Sequence, residues 1–598
     1  MKNRAYKRPI SVTSAVCAVL VWPSFAAAQT TEQVPQQQPQ QPIEQADSAD
    51  QQVLRSWQLQ TGQAPAFSHG QSQGQNSDAA SSRFETRGQV SLDAYDTNVD
   101  IPSGNQALSP LRSGRYGKLV LQGDVRSTSA SQDVSYAQGV LTASNDRSVI
   151  ARYANQINNF QVGRTGIGYQ MAFGDVVAGF SSLGSNLGLR GALGSREIDA
   201  LQVSGYIGTV AESWEALTKR ESLDQLSART RYLRDVVGLK TEYKISSALK
   251  TYATLQNYHD QLDSAPATVT FAPLSGQSIS VGGSYAQDGL QISAELARSN
   301  KKDETQQTQV RDKAGIVDAN YRFDNVGLRL GYHNLGVDYA SLAQTVAPGI
   351  REAYVGGDWQ INPQWQWSTD LRRATTRTAA SANFAALSSR LDSWNNRASF
   401  TPYSIVGLSF SLADARNRGK DFQGNPNRSD TTQWSAAYAN ALWNSNLSLG
   451  IGHTRNPLFP TADSNSQQWQ WALGRNWNNA NANLPASWSL GLQGYLGAQV
   501  QKLLASGNRS RGTNIGLNVN GFSKGWGTLG IGWQQQTNTQ PIAGMPKLSS
   551  NALQLDWAKE ITASWALKAF ARINHRNHGD VQLQADEQTV GMQGAVKW

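Results

Sequence analysis

The stretch 588–598, QTVGMQGAVKW, decides the fold. Read back from the end, Trp598, Val596, Met592 and Val590 fall on one parity, with the small Gly594 between them. Lys597, Gln593 and Thr589 fall on the other. A period of two is the signature of a strand, and the apolar/polar split means that its two faces meet different surroundings. One strand buries nothing by itself, so the pattern has to recur.

It recurs from Arg83 onward. Val90, Leu92 and Ala94 oppose Gln89, Ser91 and Asp93, and Leu201, Val203 and Ile207 oppose Gln202, Ser204 and Tyr206. Val237, Leu239, Thr241, Tyr243 and Ile245 stand against Lys240, Glu242 and Lys244. Toward the C-terminus Leu328, Leu330 and Tyr332 alternate with Gly327, Arg329 and Gly331, and Ile515, Leu517 and Val519 with Asn514, Asn518 and Asn520. Short polar turns such as Asp324-Asn325 and 520–525 (NGFSKG) separate the runs, which reads as hairpin after hairpin.

A soluble sandwich or propeller also alternates. Three features favour a membrane barrel instead. The polar faces carry the Gln, Asn, Ser and Gly of a wet lumen. Trp365, Trp367, Trp469, Trp471, Trp477, Trp526 and Trp565 gather near expected strand ends, as interfacial girdles require. No blade-length repeat appears. A mean hydropathy of −0.48 is compatible with this, because a barrel strand needs apolar residues only at alternate positions. No stretch after the first thirty residues is long and apolar enough for a transmembrane helix.

A last strand ending on an aromatic resembles the close of bacterial outer-membrane β-barrels. That resemblance implies that Val590, Met592, Val596 and Trp598 form the barrel-closing strand and the assembly signal read by the barrel-assembly machinery. The expected fold is an all-β, antiparallel, up-and-down transmembrane barrel. At about 20 residues per strand and connection, residues 83–598 make roughly 22–26 strands. Outer-membrane lipid is the expected surrounding and the outer membrane of a Gram-negative bacterium the expected location.

The segments before Arg83 read differently. Residues 1–28 have the build of a secretory signal peptide: a basic start (Lys2, Arg4, Lys7, Arg8), an apolar run from Ile10 to Val21 and a small-residue site at Ala26–Ala28. Cys17, the sole cysteine, lies inside it, so the mature chain is expected to have no disulfide or thiolate chemistry. Removing those four cations from the 53 Lys+Arg leaves 49 against 44 Asp+Glu, a net of +5 rather than +9. With no basic run interleaved with aromatics, nucleic acid is not an expected partner. Residues 29–82 are rich in Gln, Pro, Gly and Ser and cannot bury a core, so a disordered periplasmic segment is expected. Within it, Asp50–Leu59 presents Val53, Leu54 and Trp57 on one helical face, either a transient turn or a docking element for the barrel mouth or a periplasmic partner.

No catalytic constellation stands out. His575 and His578 have three-residue spacing, but a metal site needs further ligands, and neither a phosphate loop nor a hydrolase motif is present. No enzyme activity and no cofactor is expected. The functional interest lies on the polar parity. If Trp598, Leu567 and Leu517 face lipid, then Arg329, Asp370, Arg372, Asp556, Lys568 and Arg572 face the lumen, either biasing what passes or bracing the wall. A barrel this wide leaks unless something fills it: an inward-folded loop, the Gln-rich tail or a partner. Residues 211–235 break the alternation and are rich in helix formers, which suits either a lumen plug or a surface loop.

One further segment carries a family likeness. Phe173–Gly194 (FGDVVAGFSSLGSNLGLRGALG) resembles a piece of the barrel of fimbrial ushers, which implies an export barrel, although the usher plug and flanking periplasmic domains have no counterpart here. The expected function is therefore an export or translocation pore for a surface polymer or polypeptide. A passive or selective porin and a structural or adhesive barrel are the alternatives.

Overall fold

The computed structural model describes residues 82–598 except 103, 105–108, 110, 147–154, 185, 212–213, 218–231, 265–271, 342–347, 379–385, 423, 425, 440–442, 456–462, 480–486, 505–506, 540–546 and 578–583. Residues 1–81, and with them the signal, the Gln-rich segment and Asp50–Leu59, lie outside this set, as does His578. The described chain forms 26 strands in one antiparallel sheet. Each strand pairs with its neighbour in sequence, and β1 (Arg83–Asp100) pairs with β26 (Ala585–Lys597) to close the ring. Closure leaves no sheet edge, the condition for a sheet to cross hydrocarbon. Strands about 4.8 Å apart and tilted about 40° give such a ring a diameter of roughly 50 Å.

The two faces separate by parity. On β13 (Val326–Leu335), Leu328, Leu330 and Tyr332 point outward and are exposed, while Gly327, Gly331 and Leu335 point inward and are buried. The same outward parity carries Val590, Met592 and Trp598 on and just beyond β26. An exterior of exposed Leu, Val, Ile and aromatics around a closed ring has no soluble counterpart. The chain is an outer-membrane-type β-barrel, and that membrane is where such an exterior is satisfied.

The two ends differ. At one end several connections are two residues long, including Asp199-Ala200, Asp288-Gly289 and Asp324-Asn325, whose aspartates take positive φ (53°, 49° and 43°) as tight hairpin turns require. At the other end the connections span 101–113, 211–233 and 336–349. Short turns mark the periplasmic side and long loops the outside. The periplasmic end carries a dense aromatic girdle of Trp359, Trp365, Trp367, Trp488, Trp526, Trp565 and Trp598. Trp469 and Trp471 depart from the expectation: both lie midway along β20 (Ser464–Asn478), because strand length had displaced the apparent end. The turn read at 520–525 also moves. Asn520–Ser523 stay in β22 (Arg509–Ser523) and the chain reverses at 524–526.

One ladder is incomplete. Between β4 (Asn155–Gly166) and β5 (Tyr169–Gly179) the pairing runs only from Gly166↔Tyr169 to Gln161↔Gly174, leaving the outer half of the seam unpaired. Gly174 sits at the break with φ 114°, and a Cβ there would fall 2.1 Å from the Phe160 carbonyl oxygen. Only glycine lets β5 pass this point.

Candidate functional site

The inner wall is the candidate site, because parity and register bring its charges together. On β12 (Gln309–Phe323), β13, β14 (Ile350–Gln360) and β15 (Trp365–Thr378), alternate inward positions hold Asp318, Arg329, His333, Glu352, Tyr354, Asp370 and Arg372. Arg329 pairs with Asp370 at 3.0 Å and Arg372 with Glu352 at 2.6 Å. Asp318 accepts from the Tyr354 hydroxyl at 2.7 Å and lies 2.8 Å from His333 Nε2. The result is a ladder of alternating sign across four strands.

A second group lies on β24 (Lys547–Glu560) and β25 (Trp565–Asn577). Lys568 approaches Asp556 at 3.8 Å, and the Arg572 guanidinium lies 5.1 Å from the Phe570 ring centroid. Arg329, Asp370 and Arg372 therefore fall in one cluster and Asp556, Lys568 and Arg572 in another. Glu352 and Asp318 were missing from the sequence reading. Their signal was present, since each is an acid on the polar parity of an alternating run, but nothing local marks which cation each will meet.

The pairs differ in burial, and this predicts unequal costs. Glu352 is 7 % exposed, whereas the Asp370 side chain is 49 % exposed. Arg372→Ala strands a buried carboxylate and is expected to cost about 3 kcal/mol, the low end for breaking a buried pair because Arg372 itself reaches lumen water. Arg329→Ala is expected to cost about 0–1 kcal/mol, as for an exposed pair. Urea titration of both variants in detergent measures the difference, and equal midpoints would contradict this ranking.

Two outer loops turn into the lumen. Glu295 on β11 (Leu290–Asp303), 2 % exposed, accepts from the Ser181 hydroxyl at 2.6 Å and from the Leu183 amide at 3.1 Å. The Tyr339 hydroxyl donates to the Leu183 carbonyl at 2.7 Å, and the Ala340 amide donates to Ser299 Oγ at 2.9 Å. Leu183, Leu335, Tyr339, Ala314 and Ile316 pack into one buried cluster. Burial pushes the Tyr339 phenol up from its ordinary range, so it remains a neutral donor. The segments 180–184 and 336–341 thus cover the inner wall along β11–β13.

The described part of 211–235 lies elsewhere. Its helical turn α1 (Trp214–Leu217) touches the outward face and open edge of β4, with Trp214 against Phe160 at 6.0 Å. Residues 218–231 lie outside the described set. His575 Nδ1 meets the Asp586 carboxylate near the outer end of β25, and among the described residues no group of three or more His, Cys, Asp or Glu is placed to hold a metal.

No protein-family model matches this sequence, and neither does any curated protein. Solved structures with some likeness include OccK5 (OpdH) of Pseudomonas aeruginosa, at 12 % identity and TM-score 0.30 over 62 % of this chain and 98 % of that one. The copper transporter OprC gives 8 % and 0.38 over 88 % and 81 %, and the siderophore receptor PirA from Pseudomonas aeruginosa 8 % and 0.36 over 85 % and 80 %. Likenesses this slight say nothing about what passes through this barrel.

Proposed function

We propose that this barrel is an outer-membrane translocation channel exporting a surface polymer or polypeptide. The observation that carries the reading is the combination of a ring of 26 strands with inward loops anchored along one flank. A ring roughly 50 Å across is wider than diffusion of small solutes needs. Segments held by a few hydrogen bonds can be displaced by a cargo without rebuilding the wall. The mixed-sign ladder on β12–β15 offers a polar chain partners of both signs with no deep well to trap it.

A substrate-selective porin is the second reading, favoured by the same ladder taken as a filter. Planar-bilayer recording separates the two. The exporter is expected to be closed or weakly conducting at rest and to give large steps when 181–184 is replaced by a short glycine linker. Steady high conductance of the intact protein, with ion selectivity that reverses in Arg329→Glu/Arg372→Glu, would replace export by selective diffusion.

A further inference from the structure

The broken seam between β4 and β5 is sealed by side chains in place of backbone. Asp175 Oδ2 accepts from the Phe160 amide at 2.7 Å and from Trp214 Nε1 at 2.7 Å. Glu215 Oε1 accepts from the Ile157 amide at 2.8 Å. Arg190 on β6 (Asn186–Ile198) pairs with Asp175 at 3.2 Å and lies 5.9 Å from the Trp214 ring centroid. In a barrel wall, where every backbone group normally finds a ladder partner, side chains have taken over that task at the Ile157 and Phe160 amides.

Three further observations surround this seam. Gly174, Gly191 and Gly208 stand in register across β5, β6 and β7 (Leu201–Val210), and a Cβ on any of them would fall 2.1–2.5 Å from a neighbouring carbonyl oxygen. The wall is therefore creased along a line that ends at the break. Just beneath the break, the lipid-facing side carries a concave groove of about 1160 Å³ lined by apolar side chains including Val162, Met171, Phe173, Ile207 and Leu239. That is above the usual size of a small-molecule pocket, on a surface that should be convex. Behind the break, the inner side of the wall is packed by a buried apolar cluster that includes Val176, Ala178, Phe180 and Leu189, each 0–5 % exposed.

We propose that the β4–β5 seam is a lateral door for the acyl chain of a bilayer amphiphile, with the external groove as its first binding site and Trp214 as its bolt. Apolar surface outside, a wall joint made of exchangeable side-chain hydrogen bonds, and a buried apolar cluster behind it lie in succession, so a chain that parts the joint meets apolar side chains throughout. An acyl chain gains about 0.8 kcal/mol per buried methylene wherever water would otherwise touch apolar wall, so such a path holds it on both sides. The polar headgroup would pass at the level of Asp175 and Arg190. This inference stands apart from polymer export and requires no cargo in the main channel.

The test uses the full chain in liposomes containing a phospholipid with a photoactivatable diazirine near the acyl terminus, read by mass spectrometry of the cross-linked peptides. Cross-links on Val176, Ala178 and Leu189, buried behind the seam, are expected, with none on lumen-facing Gln493 and Tyr495 of the fully paired β21–β22 wall, β21 being Trp488–Leu503. Trp214→Phe keeps a ring but removes the donor to Asp175. It is expected to raise the lumen-side yield roughly fivefold, the factor carried by one net hydrogen bond. Asp175→Asn supplies a second variant if the first fails to assemble. Cross-links confined to lipid-facing positions in wild type and in both variants would overturn the door, as would equal labelling of Gln493 and Tyr495, which reports lipid entering by the barrel mouth. Conductance is recorded on the same samples, so a failed export reading leaves this result unaffected.

Discussion

Glu295→Ala is expected to open the lumen. The native carboxylate is 2 % exposed and takes two hydrogen bonds from the inward segment, one from the Ser181 hydroxyl and one from the Leu183 amide. Hydrogen bonds to a charged acceptor contribute about 1.5–3 kcal/mol each, so removing both costs the docked state about 3–6 kcal/mol. Leu183 then loses the anchor that holds its carbonyl under Tyr339, so 181–184 should leave the wall, while 336–341 keeps its own bonds to the barrel from the Ala340 amide to Ser299 and from the Asp338 amide to Asp312. Single-channel steps should become larger and noisier than in wild type, and a protease should cut at 181–184 in folded protein. Glu295→Gln retains acceptor geometry without charge and should fall between the two. A folded Glu295→Ala barrel with unchanged conductance would show that 181–184 does not obstruct the channel.

The contrast between the wall and its fittings explains what the sequence could disclose. A barrel strand writes its orientation into its own residues, because lipid and lumen impose opposite demands every second position. Leu328-Arg329-Leu330 is readable for that reason, and Trp598 fixes the polarity of the ring. Contacts between loops and wall leave no such record. Ser181 and Glu295 are 114 positions apart, and nothing in SSLG announces that it will turn inward. The seam was hidden differently: FGDVV alternates like any strand, and the φ of 114° at Gly174 has no signature beyond the glycine itself.

Parity also fails at outward charges that find a partner of opposite sign. Arg373 and Asp392, paired at 2.7 Å, lie on the outward parity of β15 and β16 (Leu387–Phe400), and Asp414 and Arg416 follow at 2.9 Å on β17 (Leu408–Lys420). Arg373, Asp392 and Arg416 lie within two residues of their strand midpoints on the outer side and Asp414 is the central residue of β17, so pairing offsets these charges within the wall. An outward charge is costly only at mid-membrane, about 2–4 kcal/mol, and nearly free at the interface. The rule that charges face the lumen therefore holds for Asp370 and Lys568 and lapses where an outward charge has a partner of opposite sign, as on β15–β17.

The ring closes on an unusual contact, and Gly88→Val is expected to break it. Trp598 and Gly88 exchange both backbone hydrogen bonds at 3.1 Å, the last rung of the β1–β26 ladder. The indole lies flat over Gly88, so that a Cβ there would come within 2.3 Å of the ring carbon Cζ2. Valine has the higher strand propensity, and by propensity alone Gly88→Val should stabilise β1. Here the steric term opposes it. Overpacking costs about 1–3 kcal/mol, which is roughly a five- to hundredfold loss in the closed fraction if it falls on the closing rung. The substitution should cut the fraction of protein showing the compact, heat-modifiable band of a folded barrel, and Trp598→Asp, which puts a charge where the girdle needs an aromatic, should cut it further. The double variant Gly88→Val/Trp598→Ala separates the clash from the loss of the terminal aromatic. Recovery above Trp598→Ala alone assigns the defect to the clash, since removing the indole makes room for the valine and leaves its propensity to act. If Gly88→Val assembled as wild type does, the indole would have to sit elsewhere in the membrane, and the contact would not be what closes the barrel.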